Sequence, residues 1–305
     1  MSIITVNSLP NIDASTQIQN AINSLGPAGG TLIISPGTYD MSKAVIVNNT
    51  ANLTIKGNGA TLIALPTMPM DSNGCFFMFQ GCSSLVISGL SFNGNAINRG
   101  PIASPPQGIL LNWTNNVQII GCNFMNSVCD DIFMWGGLNP NALSLACHNV
   151  RITGCSFEKP ARNAISVVNG AYVRIDHNRF NNIRANLPQA AVDIEPNYGD
   201  LNGITHHVTM DNNTVTNCFH GMVCWNIAAP YEMHYDSNNF SGVDYPIENQ
   251  APSSTITWNH ISYSKAFPIC TGSGSVAQIY SNRIYKCPQW AIGPTDILGD
   301  NIIVS

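Results

Sequence analysis

The sequence predicts an all-β solenoid in which short parallel strands stack coil upon coil along one domain. Three observations predict it. A phrase of alternating apolar residues recurs along the chain, a column of corner residues recurs with it, and a second strand accompanies each copy.

The phrase reads LVISGLSF (85–92), VQIIGCNF (117–124), VRITGCSF (150–157), VRIDHNRF (173–180) and VTMDNNTV (208–215). It continues more loosely as MHYDSNNF (233–240), ITWNHI (256–261), IYSNRI (279–284) and LGDNII (298–303). The equivalent corners are Leu90, Cys122, Cys155, Asn178, Asn213, Asn238, Asn259, Asn282 and Asn301, at steps of 32, 33, 23, 35, 25, 21, 23 and 19 residues. A floor near 20 with a variable excess describes one fixed coil decorated by loops. Asparagine suits such a corner because it tolerates the left-handed region, and stacked amides hydrogen-bond from rung to rung.

The second strands are GILLNW (108–113), DIFMWG (131–136), AISVVN (164–169), AVDIEP (191–196), GMVCWN (221–226), PIENQA (246–251) and PICTGS (268–273). Applying the two-residue period turns Ile109, Ile132, Ile165, Val192, Met222, Ile247 and Ile269 inward. Leu110, Phe133, Ser166, Asp193, Val223, Glu248 and Cys270 then form one outward column. Asn112, Trp135, Val168, Glu195, Trp225, Gln250 and Gly272 form the next.

At the N-terminus, Asp13 caps a short helix over about 13–26 with Ile18, Ala21, Ile22 and Leu25 on one face, fit to cover the open end of the solenoid. The coils occupy 31–305, and no linker or composition shift divides the 305 residues.

Composition bounds the function. At 44% hydrophobic and 10% charged the chain is not disordered, and a net charge of −5 argues against nucleic acid as a partner. No window approaches 18 apolar residues, so no membrane span is expected. The opening MSIITVNSLPNID lacks a basic and then apolar leader, which favours a cytoplasmic or virion-associated chain over a secreted one. Ten cysteines without a C-x-x-C pair read as buried thiols, and no metal site is assigned. Monomer and homo-oligomer both stay open.

The segment TQIQNAINSLGPAGGTLIISPGTYDM (16–41) resembles the entry to pectate-lyase-like proteins, where a capping helix leads into a G-G-T-hydrophobic-P-G-x-Y strand and turn. The resemblance implies a right-handed parallel β-helix of about ten coils acting on a poly- or oligosaccharide. Pectate and pectin lyases, polygalacturonases, other glycoside hydrolases, epimerases and phage tailspike depolymerase domains share that superfamily. Asp130-Asp131 resembles the paired Asp of polygalacturonases, but the rest of their pattern is missing and their residues are not carried over.

The candidate site centres on A-V-D-I-E-P. Asp193 and Glu195 share an outward face about 6.6 Å apart by strand rise. That lies at the low edge of the inverting glycosidase range of about 6.5–9.5 Å. Trp135, Trp225 and Phe133 offer flat faces for sugar stacking. Glu248 lies two rungs beyond Asp193, roughly 10 Å away. The corners before these strands add Asp130 and Asp131, Arg162 and Asn163, Gln189, His220, and Asp244 with Tyr245. Tyr198 follows the acid strand in the loop that leads to His206-His207.

For glycoside hydrolysis, Glu195 is expected to be the general acid, its pKa raised by burial beside Trp225, with Asp193 as base, and the swapped assignment stays open. No cofactor is expected. The alternative implied by the resemblance is a calcium lyase, with Asp193, Glu195 and Asp130 as oxygen ligands and Arg162 or Lys159 as base. A non-catalytic carbohydrate-binding or fibre module is the third reading.

Overall fold

The computed structural model describes residues 2–9, 12–71, 74–100, 108–136, 146–196, 205–225, 230–272, 275–287 and the backbone of 302–304. The chain winds as a parallel β-helix with three strand-bearing faces, every described strand pairing being parallel. Each recurring phrase supplies two of the faces. In the middle coils it breaks into two strands at the corner, as in Cys147–Thr153 followed by Ser156–Glu158. In the early coils a single strand bends through the corner, as in Ser83–Asn93.

The register keeps like above like. On the first face Leu85, Val117, Val150, Val173, Val208 and Met233 stand in one line, all buried. On the second, Phe92, Phe124, Phe157 and Phe180 stack with centroids 4.8, 5.0 and 4.9 Å apart and rings nearly parallel. These separations match the spacing of neighbouring strands, so the aromatic column repeats with the backbone. The third face is a nine-stranded sheet running from Val45–Asn48 to Ile269–Thr271 and made of the predicted second strands and two earlier ones.

The asparagine ladder forms as expected. Asn178 Nδ2 and backbone N–H both donate to Asn213 Oδ1, at 3.1 and 3.0 Å, and Asn213, Asn238 and Asn259 repeat this toward Asn282. Cys155 and Cys122 continue the column, Cys155 N–H reaching Asn178 Oδ1 at 2.9 Å. Asn301 lies outside the described residues. One expectation is corrected. The left-handed residue of each corner is the one before the ladder position: His177, Asn212, Ser237, Trp258 and Ser281, with φ of 54 to 59°. That residue turns the chain and faces outward, which leaves the next amide free to point along the stack.

Helix Ala14–Leu25 has the predicted cap, Ser15 N–H donating to Asp13 Oδ1 at 3.1 Å, and it buries Ile18, Ala21, Ile22 and Leu25 against the first coils. Gly29 has φ +74°, and a Cβ there would meet the Ala51 carbonyl oxygen at 2.0 Å, so the turn requires glycine. Tyr39 is buried, its hydroxyl donating to the Ser35 and Val6 carbonyls at 2.8 and 3.1 Å, which ties the entry turn to the first strand. A short helix, Ala96–Arg99, was not expected. Among the described residues no helix is long and apolar enough to cross a membrane. The ten cysteines are free thiols, eight of them buried.

Candidate active site

The third face carries the acids. Its register aligns Leu110, Phe133, Ser166, Asp193, Val223, Glu248 and Cys270 in one line, as the alternation predicts. Trp225 N–H reaches Ile194 O at 2.9 Å, which keeps the next residues in step. The line is not the open surface expected. Leu110, Ser166, Asp193 and Val223 are buried, with Asp193 only 1% exposed.

Asp130 anchors the site from the corner. It is fully buried and grips Arg162, which donates from Nε to Oδ1 at 2.7 Å and closes on Oδ2 through Nη2. The Asn163 N–H and the Ser166 hydroxyl complete its shell at 3.1 and 3.0 Å. Asn163 passes the network on. Its Nδ2 donates to Asp193 Oδ2 at 2.8 Å and to Ser166 Oγ at 3.1 Å, while its Oδ1 accepts the Ala190 N–H at 2.9 Å. That last bond fixes which way the amide points.

Burial pushes the Asp193 carboxyl up to about 7, and the charges of Glu195 and Asp130 add to the shift. The Arg162 charge and the nearby Trp225 side chain pull the other way. Asp193 Oδ1 is buried without a hydrogen-bond partner. Glu195 is exposed, so the burial on which its role as general acid was expected to rest is absent. The wet carboxylate of the pair is Glu195 and the dry one is Asp193.

Arg162 departs from the role of a lyase base. Burial alone would lower its pKa, but the Asp130 hydrogen bonds and charge override this and hold it above its ordinary value. It keeps its proton. Asp130 likewise does not fit a calcium ligand, since Arg162, Asn163 and Ser166 already occupy both of its oxygens. Lys159 is turned toward Glu158, its Nζ 3.9 Å from Oε1 at the opposite corner. Among the described residues no three or more His, Cys, Asp or Glu side chains converge on a metal position.

A second cluster adjoins the first. Glu248 is pushed up to about 7 by burial, and its Oε2 lies 3.1 Å from His220 Nε2. No hydrogen bond of ordinary geometry joins them, and Glu248 Oε2 and His220 Nδ1 are both buried without a partner. Burial also lowers the His220 pKa. The His220 ring stands 5.3 Å from Tyr245 and 6.4 Å from Trp225, so it bridges the two clusters. The Gln189 carbonyl accepts the His220 N–H at 3.2 Å.

The structure therefore brings together Asp130, Arg162, Asp193 and Trp225, with Glu195 beside them, and joins Glu248, His220 and Tyr245 at the next rungs. Phe133 and Trp135 lie on the same face, Phe133 directly beside Ser166 in the line, and both are half-buried against an apolar patch of Leu110, Ala44, Cys75 and Met78. Tyr198 lies outside the described residues. Asn163 is one of the corner residues the sequence put forward, and Ser166 is not. The available signal for Ser166 was its place, directly beside Asp193 in the outward column. Open concavities on the ladder faces, one of about 460 Å³ lined by Glu158, Arg179 and Thr214, lie away from these acids.

The coil, the capping helix and the stacked registers define a parallel β-helix. Solved structures bear this out. The exopolygalacturonase of Thermotoga maritima superposes with a TM-score of 0.63 over 98% of this chain and 91% of its own, at 12% identity. An alginate lyase from Paenibacillus sp. str. FPU-7 gives 0.62 over 97% and 98%, at 14% identity. The tailspike protein of E. coli bacteriophage HK620, solved with a pentasaccharide, gives 0.67 over 98% of this chain but 62% of its own, at 14% identity. At these identities the likeness is one of fold. No protein-family model matches the chain, and no curated protein does.

Proposed function

We propose that the protein is a carbohydrate-active enzyme that hydrolyses a glycosidic bond on the third face, with Asp193 as general acid and Glu195 as its carboxylate partner. The observation that carries the reading is the division of environments within one i, i+2 pair. Asp193 is dry, raised to about 7 and short of one partner, whereas Glu195 stands in water. Glycosidases use such a division to keep one carboxyl protonated and the other charged at the same pH. This is the swapped assignment that the sequence left open.

Asn163 occupies Asp193 Oδ2, so the proton belongs on Oδ1. Oδ1 is buried, so the bound sugar must first displace what covers it, and the proton then passes to the glycosidic oxygen as the bond to the anomeric carbon breaks. Glu195 takes a proton from the water that attacks that carbon. The backbones stand about 6.6 Å apart by strand rise, and the separation of the two carboxyl groups on bound substrate decides between inversion and retention. The Trp225 indole offers an apolar face to the sugar ring. The Asp130–Arg162 pair acts one step back, holding the Asn163 backbone and Ser166 in place.

The test is a panel of neutral and uronic polysaccharides given to the protein and to Asp193→Asn, each with and without EDTA. Hydrolysis yields reducing ends without absorbance near 235 nm, insensitive to EDTA and lost in the variant. An unsaturated product that EDTA abolishes overturns the proposal in favour of a lyase. The absence of turnover on every substrate, with glycan binding retained, overturns it in favour of a binding module.

A further inference from the structure

The start of the first face holds a cluster that glycoside hydrolysis does not use. Strand His206–Asp211 opens with two adjacent histidines, and His207 has a left-handed backbone with φ 52°. In a regular strand neighbouring side chains point to opposite faces. The left-handed residue breaks that rule, and the two imidazoles come to the same side, with ring centroids 4.8 Å apart. Their Nδ1 atoms share a hydrogen bond of 2.6 Å, one ring donating and the other accepting.

The surroundings hold this pair in place. Tyr172, one rung back, lies 4.5 Å from the His207 ring, and Tyr231, one rung on, stacks on His206 at 5.0 Å. Behind His207 stands Glu232, its Oε2 2.5 Å from His207 Nε2 and without an in-line donor. The carboxylate charge there favours the tautomer with its proton on Nε2, so the Nδ1 of His207 accepts from His206, and a bound ion takes the place of that shared proton. The His207 and Glu232 side chains are 38% and 41% exposed, so the cluster is open to solutes.

We propose that His206 and His207 form a binding site for a borderline divalent transition ion of the Cu²⁺ or Zn²⁺ class. The ion is held through the two Nδ1 atoms, with Glu232 orienting His207 from behind. Imidazole is the preferred ligand of such ions, and a carboxylate on the far ring nitrogen is the usual support for a ligating histidine. Metal–nitrogen bonds of about 2.0–2.1 Å require the two nitrogens to stand about 3 Å apart, so the rings open by less than 1 Å. The protein supplies two ligands and water the rest, which makes the site exchangeable rather than structural. It is independent of the hydrolytic reading.

The experiment titrates untagged protein with Cu²⁺, and separately with Zn²⁺, by calorimetry. One equivalent of each is expected to bind. Affinity should fall at least about tenfold in His206→Gln and in His207→Gln, and about tenfold or more in Glu232→Gln. His260→Gln serves as a control that leaves it unchanged. Unchanged binding in both histidine variants, or no binding by the parent protein, overturns the proposal. Electron paramagnetic resonance of the Cu²⁺-loaded parent reads the site without any variant. Coupling to two imidazole nitrogens supports the assignment, and coupling to fewer than two overturns it.

Discussion

Asn163 Nδ2 donates to Asp193 Oδ2 across 2.8 Å, and Asp193 Oδ1 is left buried with no partner. The two residues lie 30 positions apart in sequence and come together because their strands are neighbours on the third face. The contact makes the two oxygens of one carboxyl unequal, and that inequality is what a directional proton donor needs. Asn163 is a positioning residue in this scheme. Replacing it by Ala should lower kcat on the hydrolysed glycan more than it raises KM, and should shift the alkaline limb of the pH profile. A purely structural role would leave that limb in place.

Asp193→Asn should reduce turnover by at least about 10³-fold, at the upper part of what one general acid contributes. Glycan binding should persist. Initial rates and equilibrium binding, measured on the same substrate, separate the two effects.

Activity should fall as pH rises through about 7, where Asp193 loses its proton. Stability follows the same sign. A carboxyl whose pKa is 3.8 when unfolded and about 7 when folded stabilises the fold fully below 3.8. Between those values the unfolded chain has released the proton and the folded one retains it, so the contribution is lost progressively up to about pH 7. Asp193→Asn removes this dependence. The Tm of the variant minus that of the parent should grow between pH 4 and 7 and then level off. A difference that does not change with pH refutes the assignment.

The Asp130–Arg162 pair should be costly to break from either side. Asp130→Ala strands a mostly buried guanidinium, and a loss of about 3–5 kcal/mol is expected, as for other buried pairs deprived of one partner. Removing both members together should cost less than the sum of the single changes. Denaturant unfolding of the two single variants and the double variant measures this.

The asparagine ladder should be sensitive at each rung. Asn213→Ala removes the acceptor for both donors of Asn178 and the bonds to Asn238 and the Ile175 carbonyl. A loss of about 1–3 kcal/mol follows from leaving buried groups unpaired. Hydrogen exchange should quicken at the Asn178 amide.

Much of this was legible in the chain. The repeated phrase, its corner column and the two-residue alternation determined the stacked registers, because side-chain direction in a strand is set by local backbone geometry. Asp13 and the apolar face from Ile18 to Leu25 determined the capping helix for the same reason. Trp225, Asp193 and Glu195 were placed on one face by counting alone. Only the tertiary structure decided which of those acids is dry, that Arg162 belongs to Asp130, that Asn163 holds Asp193, and that Trp135 is half-buried against an apolar patch. It also moved the left-handed residue one place before each ladder asparagine. Burial and pairing depend on what neighbouring rungs bring alongside from about 30 residues away, over loops whose lengths vary from coil to coil. No local pattern carries that information.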